Sequence, residues 1–552
     1  QGLGIEFEQA TWDAAKGKEG KPIKRPLKIE DIEALSPFHW AYEFDGIIVQ
    51  RGGFDAIITN PPWEIFKPYS KEFFRRHSDH ITLKKMRIED FEKAKQKLLQ
   101  DPEIRAAWLE YLSGFSHLSR WFNESPQFPN QTVKVNGRKV ASDINLYKLF
   151  LEQTVHLLRD GGRTGIVIPS GIYTDLGTMQ LRKMLFDTCR ITGLFGFDNR
   201  RKIFEGVTNT FKFVVLSFQR GGYTEEFPAA FMRHDVADLN SFPSKDDIRL
   251  SVNLIKRFSP DSFSIMEFKS PLDIKIADKM FRYPLLGEKI EGAWYVNLTN
   301  EFHMTNDSDI FHSSPAKGRI PLYEGKMIWQ FQHGYAQPRY WVDEKAGRKR
   351  ILGSESDTGQ TLGYQCYRLA YRAIAGNTDR RSFIAAILPQ YVFCGHSLAL
   401  EDARSSSLSL RSRIVVVSLF NSFCCDWLIR QMTTKNISFF FVYKLPIPRL
   451  TSKDASFRPL VERAVRLIGT SPEFDELLQD VFGPKATHKT HGVSEPKERQ
   501  TIRAEIDALV ARIYDLTEEE FAHILSTFPL VSDDVKSQTL NTYRNLLRNG
   551  GP

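Results

Sequence analysis

Phe54-Asp55-Ala56-Ile57-Ile58-Thr59-Asn60-Pro61-Pro62-Trp63 decides how the rest of the chain is read. A short apolar run, β-branched at its Ile-Ile-Thr end, predicts a buried parallel strand, and the two prolines that follow cannot continue a sheet. Asn60 is left at the strand's carboxyl end, with a large aromatic three residues on. In open α/β sheets the ligand crevice lies just beyond the carboxyl ends of the strands. An amide oxygen, rigid backbone carbonyls and an indole face suit the capture of one planar, amino-bearing ring. Asn-Pro-Pro is also a plain strand-ending turn, so the stretch gains its meaning from what surrounds it.

Outward from Asn60, strand and helix alternate. Residues 64 to 140 are charged and aromatic, with helical spacing around Ile88 to Leu99 and Ile104 to Leu112, and read as a helical insertion. A helix is expected from Asn145 to about Leu158, with apolar positions 146, 149, 150, 154, 157 and 158, closed by Gly161-Gly162 as a left-handed stop. A buried strand over 163 to 169, a helix over 175 to 187, a strand over 191 to 197 and a clear strand over 211 to 218 follow. This alternation predicts an α/β domain over 51 to 224, after a lead-in segment over 1 to 50. From 225 to 450 the pattern turns to mixed short strands, loops and aromatic clusters, the mark of a second, α+β domain. Helical character is expected at Phe383 to Leu388, Ile414 to Gln431 and Pro459 to Leu467. Residues 451 to 552 read as a helical carboxyl-terminal region. Within it, Thr487 to Gln500 reads as a flexible connection, and a helical pair over 498 to 527 presents Ile506, Leu509, Val510 and Ile513.

At 552 residues, with 41% hydrophobic and 26% charged residues, the composition is that of ordinary globular material in several domains. The formal charge of +8 and the pI near 9.0 favour a polyanionic partner. No apolar run is long enough to span a bilayer. Five irregularly spaced cysteines make neither a disulfide framework nor a metal-ligand pattern, so a reducing cytoplasm is the expected compartment. His488 and His491 have no cysteine or carboxylate partners at ligand spacing, and no metal is expected. No carboxylate-lysine nuclease pattern stands out either, so no cleavage is expected of this chain.

Asn60-Pro61-Pro62-Trp63 fits the [DNS]-P-P-[YFW] signature of amino-nitrogen methyltransferases, and with Phe54-Asp55 ahead of it resembles the N6-adenine DNA methylases. The likeness extends along the chain in order. Asn145-Leu146-Tyr147 with Phe150 resembles the segment that opens a helix beside the cofactor in gamma-type adenine methylases. Gly161-Gly162, the strand Gly165 to Pro169, and Asn199-Arg200-Arg201-Lys202-Ile203-Phe204 also follow the family order. Leu322 to Ile328 with Gln330-Phe331, Leu419 to Phe423, Phe439-Phe440 before Leu445 to Pro448, and Ala504 to Leu509 resemble the large methylases of type IIG restriction-modification and BREX or DISARM phage-defence systems. The similarity runs from about residue 36 to the carboxyl end.

This resemblance implies part of a Rossmann-like class I methyltransferase sheet, followed by an α+β target-recognition domain. It also implies S-adenosylmethionine as cofactor, double-stranded DNA as partner, and the exocyclic N6 of adenine as the methylated atom. That nitrogen is a poor nucleophile because its lone pair is delocalised into the ring. The Asn60 side-chain oxygen and the Pro61 carbonyl are the expected acceptors for its two hydrogens, a catalysis by position and electrostatics. The base must leave the duplex to be reached. Trp63, held by the Pro61-Pro62 turn, is expected to stack on it, with Phe204 opposite; Phe204 reads equally as a core residue at a strand entrance. The cofactor is expected against Asp55, Asn60 and Phe150, although Asp55 also reads as a turn cap after Gly52-Gly53 and Phe150 as ordinary helix packing.

The Gly-rich turn that would admit the cofactor's amino-acid end does not precede Asn60 as a strand-loop-helix unit. The expectation is therefore a carboxyl-terminal portion, inactive by itself, whose cofactor-side half comes from upstream or from another chain, with other defence-system proteins as further partners. Phosphate contacts are expected from Arg339, Arg348, Lys349, Arg350, Arg368, Arg372, Arg380 and Arg381, interleaved with Trp329, Tyr335, Tyr340, Tyr364, Tyr367 and Tyr371. For any single one of these, solvated surface or core is the plainer reading. Two rival functions stand beside the DNA methylase: a protein glutamine methyltransferase, which uses a similar loop on a side-chain amide, and a non-catalytic DNA-binding scaffold of a defence complex.

Overall fold

The computed structural model describes residues 6–33, 36–78, 81, 86–135, 138–140, 144–245, 247–376, 379–433 and 436–548. The chain divides into two compact units, Gln1–Ile265 and Met266–Pro552.

The first unit is built on a six-stranded sheet. Its strands are β1 (Phe54–Thr59), β2 (Leu158–Pro169), β3 (Cys189–Asp198), β4 (Lys212–Arg220), β5 (Glu226–Arg233) and β6 (Ile248–Ser251). Their spatial order is β6-β5-β3-β4-β2-β1. β1 runs parallel to β2, with Thr59 opposite Ile166, and β4 is inserted antiparallel between β2 and β3. β5 runs parallel to β3, and β6 closes that side antiparallel. The central strands bury Ile166, Ile168, Leu194, Phe195, Phe213, Val214 and Leu216. Their near-continuous apolar runs reflect helices or side chains covering both sheet faces.

Several segments depart from the sequence reading. β1 is parallel but not buried: it is the edge strand, and Ile58 is 91% exposed. The sheet continues through Ser251, so the first unit extends past 224 to Ile265. Ala385–Leu388, expected as helix, is a buried strand. Residues 487–500 are not a loose connection: a short helix over His488–His491 leads to a long one starting at Pro496, with Glu495 as N-cap and proline at N1.

The insertion holds the helices α1 (Ile88–Leu98) and α2 (Pro102–Glu124), the latter capped by Asp101, but its end over 133–140 is a two-stranded hairpin and not helix. Phe74, Phe91, Leu99 and Trp108 make its own small core. α3 (Leu146–Leu157) precedes β2 and α4 (Met179–Thr188) precedes β3. α3 ends at Leu157, and Leu158 is already extended; the left-handed residue is Gly161, inside the β2 segment, and not the helix stop.

The second unit holds two four-stranded sheets. One orders β7 (Leu298–Thr299), β14 (Leu398–Glu401), β11 (Arg368–Arg372) and β12 (Ala385–Leu388). The other orders β8 (Phe311–His312), β10 (Tyr340–Asp343), β9 (Arg319–Tyr323) and β13 (Phe393–Cys394). Their helical companions are α5 (Glu344–Leu352), α6 (Leu410–Asn421), α7 (Phe423–Arg430), α8 (Phe457–Ile468), α9 (Pro496–Ile513), α10 (Glu518–Ser526) and α11 (Asp533–Arg548). α6 and α7 bend by 59° at Ser422 and are almost wholly buried core helices. Among the described residues no single helix is long and apolar enough to cross a membrane.

Candidate functional site

β1 and β2 run in the same direction, so Asn60 and the residues after Pro169 emerge at one edge of the sheet, where β4 begins at Lys212. The chain can reach that edge because Gly53 takes φ +133° ahead of β1; a Cβ there would sit 2.5 Å from the Arg159 amide nitrogen. Asn60 is exposed, and neither its side chain nor the Pro61 carbonyl is engaged in a hydrogen bond among the described residues. Pro61 is buried and Pro62 exposed, so the loop is anchored on one side and open on the other.

The loop is tied to α3 through the backbone. Phe66 N–H donates to Ile144 O at 2.6 Å and Leu146 N–H to Glu64 O at 3.0 Å, on either side of an Ile65–Asn145 bridge. Two sequence motifs eighty-odd positions apart, Asn60-Pro61-Pro62-Trp63 and Asn145-Leu146-Tyr147, thereby become neighbours. Tyr147 is buried, and burial pushes its phenol well above the usual range, so it stays protonated. Phe150, one turn along, is 44% exposed.

Trp63 is half-buried. Its indole N–H donates to Val167 O of β2 at 3.1 Å, and its ring stacks on Phe211 at 5.6 Å with an interplanar angle of 9°. Phe204 meets it edge-on at 5.0 Å. The two rings expected to flank a base thus touch each other, and a base between them requires Phe204 to withdraw. Phe204 sits on a loop held by Asn199, which is fully buried: its amide donates to Phe204 O and Val207 O and accepts from Phe204 N–H, all at 2.9 to 3.0 Å. Asp55 lies between two cations, Arg51 Nη2 at 2.5 Å and Arg159 Nε at 2.6 Å, whose hydrogen bonds hold its carboxyl below the usual range. That carboxylate fastens β1 to the start of β2 and is not free for a ligand.

Two of the supports were assigned no role by the sequence reading. Asn199 was visible only as part of a longer motif. Arg182 of α4 is buried and donates to Ile172 O, Thr178 Oγ1, Asp175 O and Ser262 O, locking the turn after β2. Burial lowers its guanidinium to about 10, still charged at neutral pH.

The expected DNA-contacting cations in the second unit separate into groups. Arg368 is 1% exposed, paired with Glu301 and donating to Val392 O, and Arg381 is buried against Asp426. These two are internal, because a buried guanidinium requires a carboxylate more than it can serve a solvent-borne phosphate. Arg372 caps Ile328 O and lies over Trp329. Arg348 and Arg350 are spent on Asp357 and on Asp307 with Asp309, and Arg339 on Glu324. Lys349 and Arg380 are exposed and make no ion pair among the described residues. His488 Nδ1 donates to the Asp475 carboxylate at 2.9 Å.

Residues 122–204, from the end of α2 to Phe204, match the family model described as Eco57I restriction-modification methylase. This stretch of the chain is related to the restriction-modification methylases. The chain is also 44% identical over 61 residues to a putative type II restriction enzyme and methyltransferase of Methanocaldococcus jannaschii, a match covering 11% of this chain and 5% of that protein. Among solved structures, the type IIL restriction-modification enzyme MmeI in complex with DNA is similar at 12% identity and a TM-score of 0.42, over 89% of this chain and 57% of that one. A DrdV–DNA complex is similar at 9% identity and a TM-score of 0.37, over 90% and 57%, and the type IIG endonuclease BpuSI at 14% and 0.27, over 75% and 52%. The chain spans little more than half the length of these enzymes. Asn60 to Trp63 lie outside the family-matched stretch.

Proposed function

We propose that this chain carries the target-base side of an S-adenosylmethionine-dependent methyltransferase acting on the N6 of adenine in DNA, within a restriction-modification or phage-defence system. The observation that carries this reading is the pair of unengaged acceptors at Asn60 and Pro61, held at the carboxyl edge of a sheet beside the Asn145 helix. Bound there, an adenine amine donates one hydrogen to the Asn60 amide oxygen and one to the Pro61 carbonyl. The nitrogen lone pair, released from the ring, points away from both acceptors. Trp63, half-buried against Phe204, Phe211 and Phe213, meets the flipped base with the part of its ring left exposed, and Phe204 reaches the opposite side once its loop opens. The likeness of residues 122–204 to a methylase family supports the same reading.

The cofactor supplies the methyl group when bound. Among the residues present, Asn60 and the exposed ring of Phe150 suit its methyl-bearing side, whereas Asp55 is committed to Arg51 and Arg159. Among the described residues β1 is an edge strand, and its Ile58 is exposed. A bare strand with such a surface is a template for pairing. On this proposal, strands outside residues 1–552 cover it and complete the cofactor pocket. A non-catalytic scaffold is the second reading, favoured by that same open edge. The separating experiment incubates the protein, together with whatever polypeptide completes β1, with labelled methyl donor and DNA. Digestion and mass spectrometry then look for N6-methyladenine. Label in another base, or none, favours the alternatives.

A further inference from the structure

A small cavity in the second unit, about 90 Å³, is lined by Trp329, Gln330, Arg380, Arg381, Arg503 and Gln500, with Asp507 and Phe423 in its wall. Three arginines face it. Arg381 is buried and spends Nε on Asp426 and Nη2 on Asn421 O, while its ring-stacked plane is fixed 4.2 Å over Phe423. Arg503 is half-buried; its side-chain hydrogen bond goes from Nη2 to Gln500 Oε1 at 3.1 Å. Arg380 has no hydrogen bond or ion pair among the described residues. Asp507 accepts from Phe423 N–H and is the one acid in the lining.

Cation therefore exceeds anion around this cavity. Burial lowers the Arg503 guanidinium, Arg381 and Arg380 lower it further, and Asp507 pulls the other way. Arginines so close to one another are stabilised by an anion among them, and their forks suit tetrahedral oxyanions. With Oε1 of Gln500 taken by Arg503, its NH₂ group remains as a further donor. The volume is that of a few waters at ~30 Å³ each, far under the ~300 Å³ at which sites for drug-sized ligands begin.

We infer that Arg380 and Arg503 form a binding site for a single phosphate group, with Arg381, already committed to Asp426, adding only its positive field from the cavity wall. Arg381 stays fixed on Asp426, while half-buried Arg503 and exposed Arg380 line the same cavity. The site does not depend on the methylase reading; only assigning its phosphate to a DNA backbone rests on that reading.

The test uses the full 552-residue chain with inorganic phosphate in one arm and a random-sequence duplex oligonucleotide in the other. Phosphate is expected to raise the melting temperature more than chloride at equal ionic strength. Arg380→Gln and Arg503→Gln are each expected to weaken that binding roughly tenfold or more. Arg380 is exposed, so its variant folds even if Arg503→Gln does not. If the site takes a DNA phosphate, Arg380→Gln also makes the slope of log K against log salt shallower by about 1. An unchanged slope with phosphate binding lost assigns the site to a free phosphate or nucleotide. No preference for phosphate over chloride, with unchanged DNA slopes in both variants, overturns the site. Wild-type chain that ignores DNA but binds phosphate overturns the DNA reading alone.

Discussion

β1 and β4 are written in much the same apolar alphabet and end in opposite surroundings. β4 lies between β2 and β3 and buries Phe213, Val214, Leu216 and Phe218. Among the described residues β1 has β2 on one side and no strand on the other, and shows Ile58 to solvent. The difference teaches that burial belongs to the neighbours a strand acquires and not to its composition. The arginines repeat the lesson. Arg380 and Arg381 are adjacent in sequence, yet one is exposed and makes no ion pair among the described residues, and the other is locked to Asp426.

The contrast yields measurable consequences. Phe213→Ala removes a ring from the crowded interior and is expected to cost about 3–5 kcal/mol in denaturant unfolding. Arg368→Met leaves the Glu301 carboxylate buried without its partner and is expected to cost about as much, roughly 3–5 kcal/mol. A cost under 1 kcal/mol for either would mean that the interior side of the contrast is misdrawn.

Asp507 gives a pH-dependent effect of intermediate size. Burial pushes its carboxyl up to about 6, against the help of Arg381 and Arg503. A carboxyl raised above its unfolded value contributes stability in full below the unfolded pKa and loses it as pH climbs through the folded one. Relative to Asp507→Asn, the wild type should therefore lose on the order of 3 kcal/mol between pH 4 and 7.5. A pH-independent difference between the two proteins would show that Asp507 is not desolvated.

The smallest expected effect is the sharpest on the open edge. Ile58→Ala should change the stability of residues 1–552 by no more than about 0.5 kcal/mol, as an exposed site does. Once strands cover β1, the same substitution should cost about 2–5 kcal/mol. Equal, small costs in both settings would remove the case for a completed sheet.

Much of the first unit was legible because its helices and central strands carry long, consistent periods. α3 and β4 fall within a residue or two of where the pattern puts them. Phe383 to Leu388 was misread as helix because a six-residue apolar run has no period to separate helix from strand. Thr487 to Gln500 was misread as loose because its polarity outweighed the Glu495-Pro496 start signal. Asn60 at a strand's carboxyl end was readable from Thr59-Asn60-Pro61-Pro62 alone. The contact of Trp63 with Phe204 and the pairing of Arg368 with Glu301 were not, since both are set by segments far apart in the chain.

The central claim is that the Asn60 amide oxygen orients the amine to be methylated. Initial rates of methyl transfer to adenine-containing duplex DNA, compared between the completed protein and its Asn60→Ala variant at matched DNA occupancy, test it most directly. A fall of about 10²–10³-fold or more with DNA affinity retained is the expected result; a rate within a few-fold of wild type would contradict it.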